Sequence, residues 1–288
     1  MGINTFMFRE RPLGMNLRNY LIRDLNPEDA VARARDKAQF KRVLRENGIP
    51  APLTLYEISD YSDIARLRTL PGEFVIKPNH GMGGNGILVV KREDDVFISP
   101  ANERYTLEDV RGHLRKIVNG EFSDNIERDQ ALIEERIYPS PDLVFRYAAG
   151  LPDIRVFCFR SVPVMAMVRY STEISRGRAN LSQGAVGMGL DMMTGGITHI
   201  HAKKETEDYT PDFFGIPADF RVPRWEEIRT VASETARVSG LSVAGVDVVL
   251  NSAGQIMVLE VNGHPGIEIQ NINERSLLEA LQGVHYIL

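Results

Sequence analysis

A single cysteine, Cys158, stands among 288 residues and cannot close an internal disulfide, which fits a reducing cytosol. Its place in the apolar run 154–159 favours a buried, inert thiol over a nucleophile. No apolar stretch approaches the roughly 20 residues that span a bilayer. The first fourteen residues interleave Arg9, Glu10 and Arg11 with Phe6 and Phe8, so they lack the apolar centre of a signal peptide. Gly2 has no Ser or Thr where a myristoylation signal needs one, because Phe6 stands there. Positive charge is not in excess either. A formal charge of −5 and a pI near 5.8 exclude a general nucleic-acid binder, which must present a basic field to phosphates. The expectation is a cytoplasmic protein with neither a membrane span nor a nucleic-acid partner.

A length of 288 residues with an apolar share of 43% is enough for a sizeable core in one large domain or two or three small ones. Asn26-Pro27-Glu28-Asp29 opens a helical stretch that runs to Asn47-Gly48, with a joint near Arg35. A short strand is expected at 52–56 and a helix at 62–68. Strands at 73–77 and 87–91 flank a glycine-rich loop, and a helix over 106–119 opens on Thr106 with Asp109 three positions on. Strands follow at 131–137, 153–159 and 162–170, then a long glycine-bearing loop over 172–198. A helix at 225–240 precedes two last strands, 243–250 and 255–262, and a short helix near 274–281 closes the chain. Locally paired strands with helices between groups point to α+β lobes rather than a βαβ array.

The last two strands carry the most chemistry. A four-residue loop at 251–254 would set Asp247 opposite Val258, so that Asp247 shares a face with Val258, Glu260 and Asn262. Glu260 would then be a diagonal neighbour, roughly 7–8 Å away. Two carboxylates within apolar strands either take up protons or hold a cation, and their oxygens suit Mg²⁺. The competing reading sends one or both to solvent from an edge strand. Upstream, Phe74-Val75-Ile76-Lys77-Pro78 leads into Asn79-His80-Gly81-Met82-Gly83-Gly84-Asn85-Gly86, a strand ending in lysine and then a flexible glycine loop. Such a loop brings backbone N–H groups to an anion, although a plain hairpin connection has the same composition. Lys37 lies on a helix, where most lysines are merely solvated. His199 and His201 share a strand face without a third ligand, and Phe145, Arg146 and Tyr147 sit in an insert over 138–152.

Taken in order, Asp36-Lys37, Gly48-Ile49-Pro50-Ala51-Pro52, Ile76-Lys77-Pro78, Leu132-Ile133-Glu134-Glu135-Arg136-Ile137, Asp153-Ile154-Arg155, Met167-Val168-Arg169, Arg178-Ala179-Asn180-Leu181, Ala244-Gly245-Val246-Asp247 and Leu259-Glu260-Val261-Asn262, with Pro265-Gly266 beyond, form a series. Over residues 35–270 it resembles the ATP-grasp superfamily, most closely the alpha-L-glutamate ligases that modify a ribosomal protein. The resemblance implies an α+β ATP-grasp fold, in which two α/β lobes clasp ATP. The expected division is an N-terminal extension at 1–34, a first lobe at 35–131 and a second at 132–288. The domain that usually precedes the first lysine would be largely absent, its place open to a partner protein or a second copy.

The resemblance also implies roles. Lys37 and Lys77 would contact the ATP phosphates from opposite sides, with Gly83 and Gly84 in the loop above them. Glu134, Glu135, Arg136 and Ile137 would form the hinge beside adenine, and Asp153 would accept from the ribose. Arg155 and Arg169 would neutralise the γ-phosphate and the acyl phosphate formed from it, and Asn180 would help to place phosphate or acceptor. Asp247, Glu260 and Asn262 would hold two Mg²⁺, for which Mn²⁺ can substitute. The implied reaction joins a carboxylate, such as that of glutamate, to an amine or peptide acceptor through an acyl phosphate. A ligase with a different acceptor and a non-catalytic ATP-binding regulatory module are the alternatives.

Overall fold

The computed structural model describes residues 11–64, 72–124, 126–146, 149–172, 181, 184–202 and 210–287. Three helices come first: α1 (Met15–Leu25), α2 (Glu28–Arg35) and α3 (Lys37–Glu46). The joint between α2 and α3 is Asp36, whose extended backbone ends one helix while its carboxylate accepts the Gln39 N–H and caps the next.

The first sheet takes strands β1 (Thr54–Ile58), β2 (Glu73–Pro78), β3 (Leu88–Glu93), β4 (Val96–Ile98), β5 (Arg104–Tyr105) and β6 (Ala131–Glu134) in the order β1-β6-β2-β3-β4-β5. Helix α4 (Leu107–Val118) opens on the expected capping box between Thr106 and Asp109. It lays Val110, Leu114, Ile117 and Val118 on one face of this sheet, against Phe74, Ile76 and Ile133. Strand alternation sends Val75, Lys77, Leu132 and Glu134 to the other face. The expected lobe division at 131/132 falls inside β6.

The second sheet takes β7 (Ala149–Phe159), β8 (Val162–Ser171), β9 (Val186–Leu190), β10 (Ile197–Ala202), β11 (Val243–Leu250) and β12 (Ile256–Asn262) in the order β10-β9-β8-β7-β11-β12. A short helix α5 (Pro211–Phe214) and then α6 (Trp225–Ser239) precede β11, and α7 (Glu268–Ile272) and α8 (Leu277–Ile287) follow β12. Every neighbouring pair runs antiparallel. One face is covered by α6 together with α2 and α3, whose Ala34, Phe40 and Leu44 join Ile154, Val156, Val246 and Val258 in one core. Helix α3 is therefore built on the second sheet, although it precedes the first in sequence. The other face divides in two: one half packs Phe157, Met165 and Met167 under α1, α7 and α8, and the rest is the charged floor described below.

Strand β9 occupies part of what reads as a loop over 172–198. It is Val-Gly-Met-Gly-Leu, and its glycines hid it. A Cβ at Gly187 would lie 2.5 Å from Ile272, and one at Gly189 would lie 2.8 Å from Asn273, so α7 can approach only a strand without side chains there. Most of the helix expected at 62–68 lies outside the described residues. Among those described, no helix is long and apolar enough to cross a membrane.

Candidate active site

Register places the charged residues of four strands on one face of the second sheet. Arg155 on β7 is directly opposite Asp247 on β11, and Asp153 on β7 is opposite Arg169 on β8. Both pairs are bidentate: Arg155 donates to the two Asp247 oxygens at 2.7 and 2.6 Å, and Arg169 to the two Asp153 oxygens at 2.6 and 2.8 Å. A second donation from Arg169 Nη2 reaches Asp247 Oδ2 at 2.9 Å and joins the pairs. Two positive and two negative charges thus balance within a buried cluster. Burial alone would raise the Asp247 pKa, but Arg155 and Arg169 outweigh it and hold this carboxyl below its usual range. Asp153 goes the other way, because burial and the nearby Asp247 charge outweigh Arg169. In this arrangement both Asp153 oxygens are committed to Arg169 rather than open to a ribose.

The hairpin of β11 and β12 corrects the expected register. Leu250 pairs with Ile256 and Val248 with Val258, but Asp247 pairs with Glu260, because a bulge at Leu259 inserts one extra residue. Glu260 is therefore directly across from Asp247 rather than diagonal to it. Val258 does not share their face; it lies with Val248 in the core on the opposite side. Asn262 is across from Gly245, on the face of Asp247 and Glu260.

The donor set fits a hard divalent cation. Among the described residues Glu260 makes no hydrogen bond or ion pair, yet its charge acts on Lys37 and Arg169. The Asn262 Oδ1 accepts the His264 N–H at 2.8 Å and keeps a second lone pair. Asp247 Oδ1 accepts one hydrogen bond, so it too retains an acceptor site. All are oxygen ligands of the kind Mg²⁺ takes. Among the described residues no group of three His, Cys, Asp or Glu side chains is placed to hold a metal ion, and here the third oxygen comes from the Asn262 amide.

The lysines approach from the first sheet and from α3. Lys77 and Glu134 are diagonal neighbours on the cleft face, and Lys77 Nζ lies 2.9 Å from Glu134 Oε1. A third lysine, which the sequence does not single out, completes the group: Lys41 Nζ lies 2.7 Å from the same oxygen and donates to the Pro52 carbonyl at 2.7 Å. Burial raises the Glu134 pKa, but the two ammonium groups outweigh it and keep the carboxyl ionised. Lys37, one turn before Lys41, donates to the Asn79 and Gly81 carbonyls at 3.2 and 2.6 Å, and so holds the root of the glycine loop. That root is narrow, since a Cβ at Gly81 would lie 2.2 Å from Pro78 Cγ. Gly83 and Gly84 follow with left-handed backbones that non-glycine residues rarely adopt. Just beyond β6, where the hinge is expected, the Glu135 carboxylate accepts the Leu53 N–H at 2.8 Å, so this side chain extends the sheet edge. The N–H groups of Arg136 and Ile137 donate to no backbone carbonyl among the described residues.

Asn180 and Tyr147 lie outside the described residues. In the 138–152 insert, Leu143 is buried and Phe145 packs on Tyr170 and Phe220, so this part of the insert belongs to the core. Cys158 is fully buried, and burial raises its pKa, as an inert thiol requires. His199 pairs with Glu274 at 3.5 Å.

The likenesses to known proteins agree with this geometry. Two curated relatives, each named a probable alpha-L-glutamate ligase, come from Xanthomonas oryzae pv. oryzae and Stenotrophomonas maltophilia. Each is 26% identical over 84% of this chain, which spans 61% and 62% of their respective lengths. Among solved structures, a D-alanine–D-alanine ligase from Bacillus anthracis superposes with a TM-score of 0.50 at 14% identity, over 94% of this chain and 75% of that one, a likeness of fold alone. The family described as sugar-transfer associated ATP-grasp matches residues 16–286, nearly the whole chain. The chain belongs to this branch of the ATP-grasp superfamily.

Proposed function

We propose that the chain is an ATP-dependent carboxylate–amine ligase. An acid substrate attacks the γ-phosphate of ATP and ADP leaves; an amine then attacks the resulting acyl phosphate and phosphate leaves. The observation that carries this reading is the Asp247–Glu260 pair, set beside Arg155 and Arg169 on one sheet face while Lys37 and Lys77 enter the same cleft. Phosphoryl transfer asks mainly for position and charge neutralisation, and this face offers both without a protein nucleophile.

Lys37 and Lys77 hold the triphosphate, with Gly83 and Gly84 above it. The hinge residues Glu134–Ile137 take adenine through backbone groups, for which the N–H groups of Arg136 and Ile137 are suited. Arg169, drawn toward the transferring phosphate, releases Asp153 to accept from the ribose, and Arg155 meets the same phosphate. Asp247, Glu260 and Asn262 would hold Mg²⁺, two ions in this reading and replaceable by Mn²⁺, which when bound neutralises charge on the phosphate oxygens. Asn180 helps to place phosphate or acceptor.

The relatives' names favour an amino acid such as glutamate as a substrate. The family's association with sugar transfer favours a second reading, in which the acid or the amine is carried on a sugar. A phosphate-release screen tests both, with Mg²⁺, ATP and panels of amino acids, peptides, sugar acids and amino sugars, and products identified by mass. An amide formed in step with ADP supports the ligase. Tight ATP binding without turnover across every panel refutes it in favour of a regulatory module.

A further inference from the structure

Glu134 has two ammonium partners where charge balance needs one. Its side chain is 4% exposed, and those of Lys41 and Lys77 are 10% and 11% exposed, so all three sit in a nearly dry place. The two lysines come from different halves of the molecule. Lys77 is on the first sheet, whereas Lys41 is on α3, which is rooted in the core of the second sheet through Phe40 and Leu44. If Lys77 moves to a phosphate, a buried carboxylate with no other cation is stranded, and that penalty opposes nucleotide binding. We propose that Lys41 is a positioning residue, a standby counter-ion that keeps Glu134 paired so that Lys77 can leave it for an ATP phosphate. This rests on the reading of the cleft as an ATP site.

The neighbouring charges cannot substitute for it. Lys37 is held by the loop carbonyls of Asn79 and Gly81. Glu135, turned onto the Leu53 N–H, and Asp129, which accepts from His80 and Ser123, are themselves anions and cannot pair with Glu134. From β2 comes Lys77, from β6 and its end come Glu134 and Glu135, and from the approach to β1 comes the Pro52 carbonyl; these face Lys41. Burial first, and then the Lys77 charge, push Lys41 down to about 8. The proton it needs as a counter-ion is thus lost just above neutral pH.

The experiment is calorimetric titration of the full chain with ATP and Mg²⁺, without acid or amine, on wild type, Lys41→Met, Lys41→Arg and Lys41→Met/Glu134→Gln. Lys41→Met should bind ATP at least ten-fold more weakly and Lys41→Arg should bind near wild type. The double variant, with no carboxylate to strand, should recover most of the loss. Wild-type affinity should fall as pH rises through 8 to 9, while that of Lys41→Arg stays flat. A double variant no better than Lys41→Met marks Lys41 as merely structural and overturns the proposal, as does unchanged affinity in Lys41→Met. Should Lys41→Met fail to fold, the comparison of the double variant and Lys41→Arg with wild type decides: both must bind near wild type. Wild-type protein that binds no ATP overturns this inference and the ligase reading together, whereas wild-type binding with no effect of the variants overturns this inference alone.

Discussion

Replacing Asp247 by Asn leaves the volume of the site unchanged but removes a charge on which two guanidinium groups depend. Arg169 retains Asp153, at 2.6 and 2.8 Å, whereas Arg155 loses its ion-pair partner. With side-chain exposures of 11% for Arg155 and 4% for Asp247, little water is available to replace it. Breaking a buried pair on one side costs about 3–5 kcal/mol, which for a chain of this size is a melting shift on the order of 10 °C. Arg155→Met should cost less, because Asp247 still accepts from Arg169. The decisive variant is Arg155→Met/Asp247→Asn, which keeps the cluster neutral with the remaining Arg169–Asp153 pair. Denaturant titration of wild type, both single variants and the double should give a coupling of at least about 1.5 kcal/mol, with the double more stable than Asp247→Asn alone. Additive losses, or a double less stable than either single, would refute the charge-balance reasoning.

Glu260→Gln should abolish ligation and shift the melting temperature by less than about 2 °C, since among the described residues Glu260 has no hydrogen-bond or ion-pair partner to lose; a large melting shift would contradict this. Lys41 titrates at about 8 when folded and near 10.5 when unfolded, so between these values the unfolded chain binds more protons. Stability of wild type relative to Lys41→Met should therefore rise by about 2–3 kcal/mol from pH 8 to 10.5. A flat or falling difference in paired urea melts would show that Lys41 is not desolvated. Gly86→Ala should cost about 1–3 kcal/mol, because the new Cβ would stand 2.7 Å from Phe122 Cγ and φ is +76°. Adding Phe122→Ala relieves the overlap but not the backbone strain, so only partial recovery is expected in the same melts.

The elements that carry charged motifs were legible because each motif sits at a strand end or helix start with its own local signal. Lys77 closes the apolar run Phe74-Val75-Ile76, and Asp36 caps the helix that begins at Lys37. What escaped depends on partners distant in sequence. Strand β9 has glycines where α7 approaches, so its pattern makes sense only once α7 is in place. Helix α1 is weakly periodic because its face is shared: Ile22 enters the core, while Arg18 reaches the carbonyls of His264 and Pro265. Lys41 reads as one more lysine on an exposed helix, and only the fold brings it to Glu134. The register of β12 was missed twice over: the turn is one residue longer than 251–254, pairing Leu250 with Ile256, and the bulge leaves no mark in Val-Leu-Glu-Val. The Val258 N–H instead donates to the Pro50 carbonyl at 2.8 Å, a contact that sequence spacing does not foretell.

That extra residue at Leu259 acts as a phase shifter. A regular strand sends residues two apart to the same side, so it would have to present Val258 and Glu260 together. With the shift, β12 begins as a core strand and ends by carrying Glu260 and Asn262 onto the charged face, and neither stretch compromises the other. Were Leu259 paired in register instead of bulged, the strand would face a choice: Val258 stays inside and Glu260 is buried with it, or Glu260 keeps its outlook and the core loses a valine.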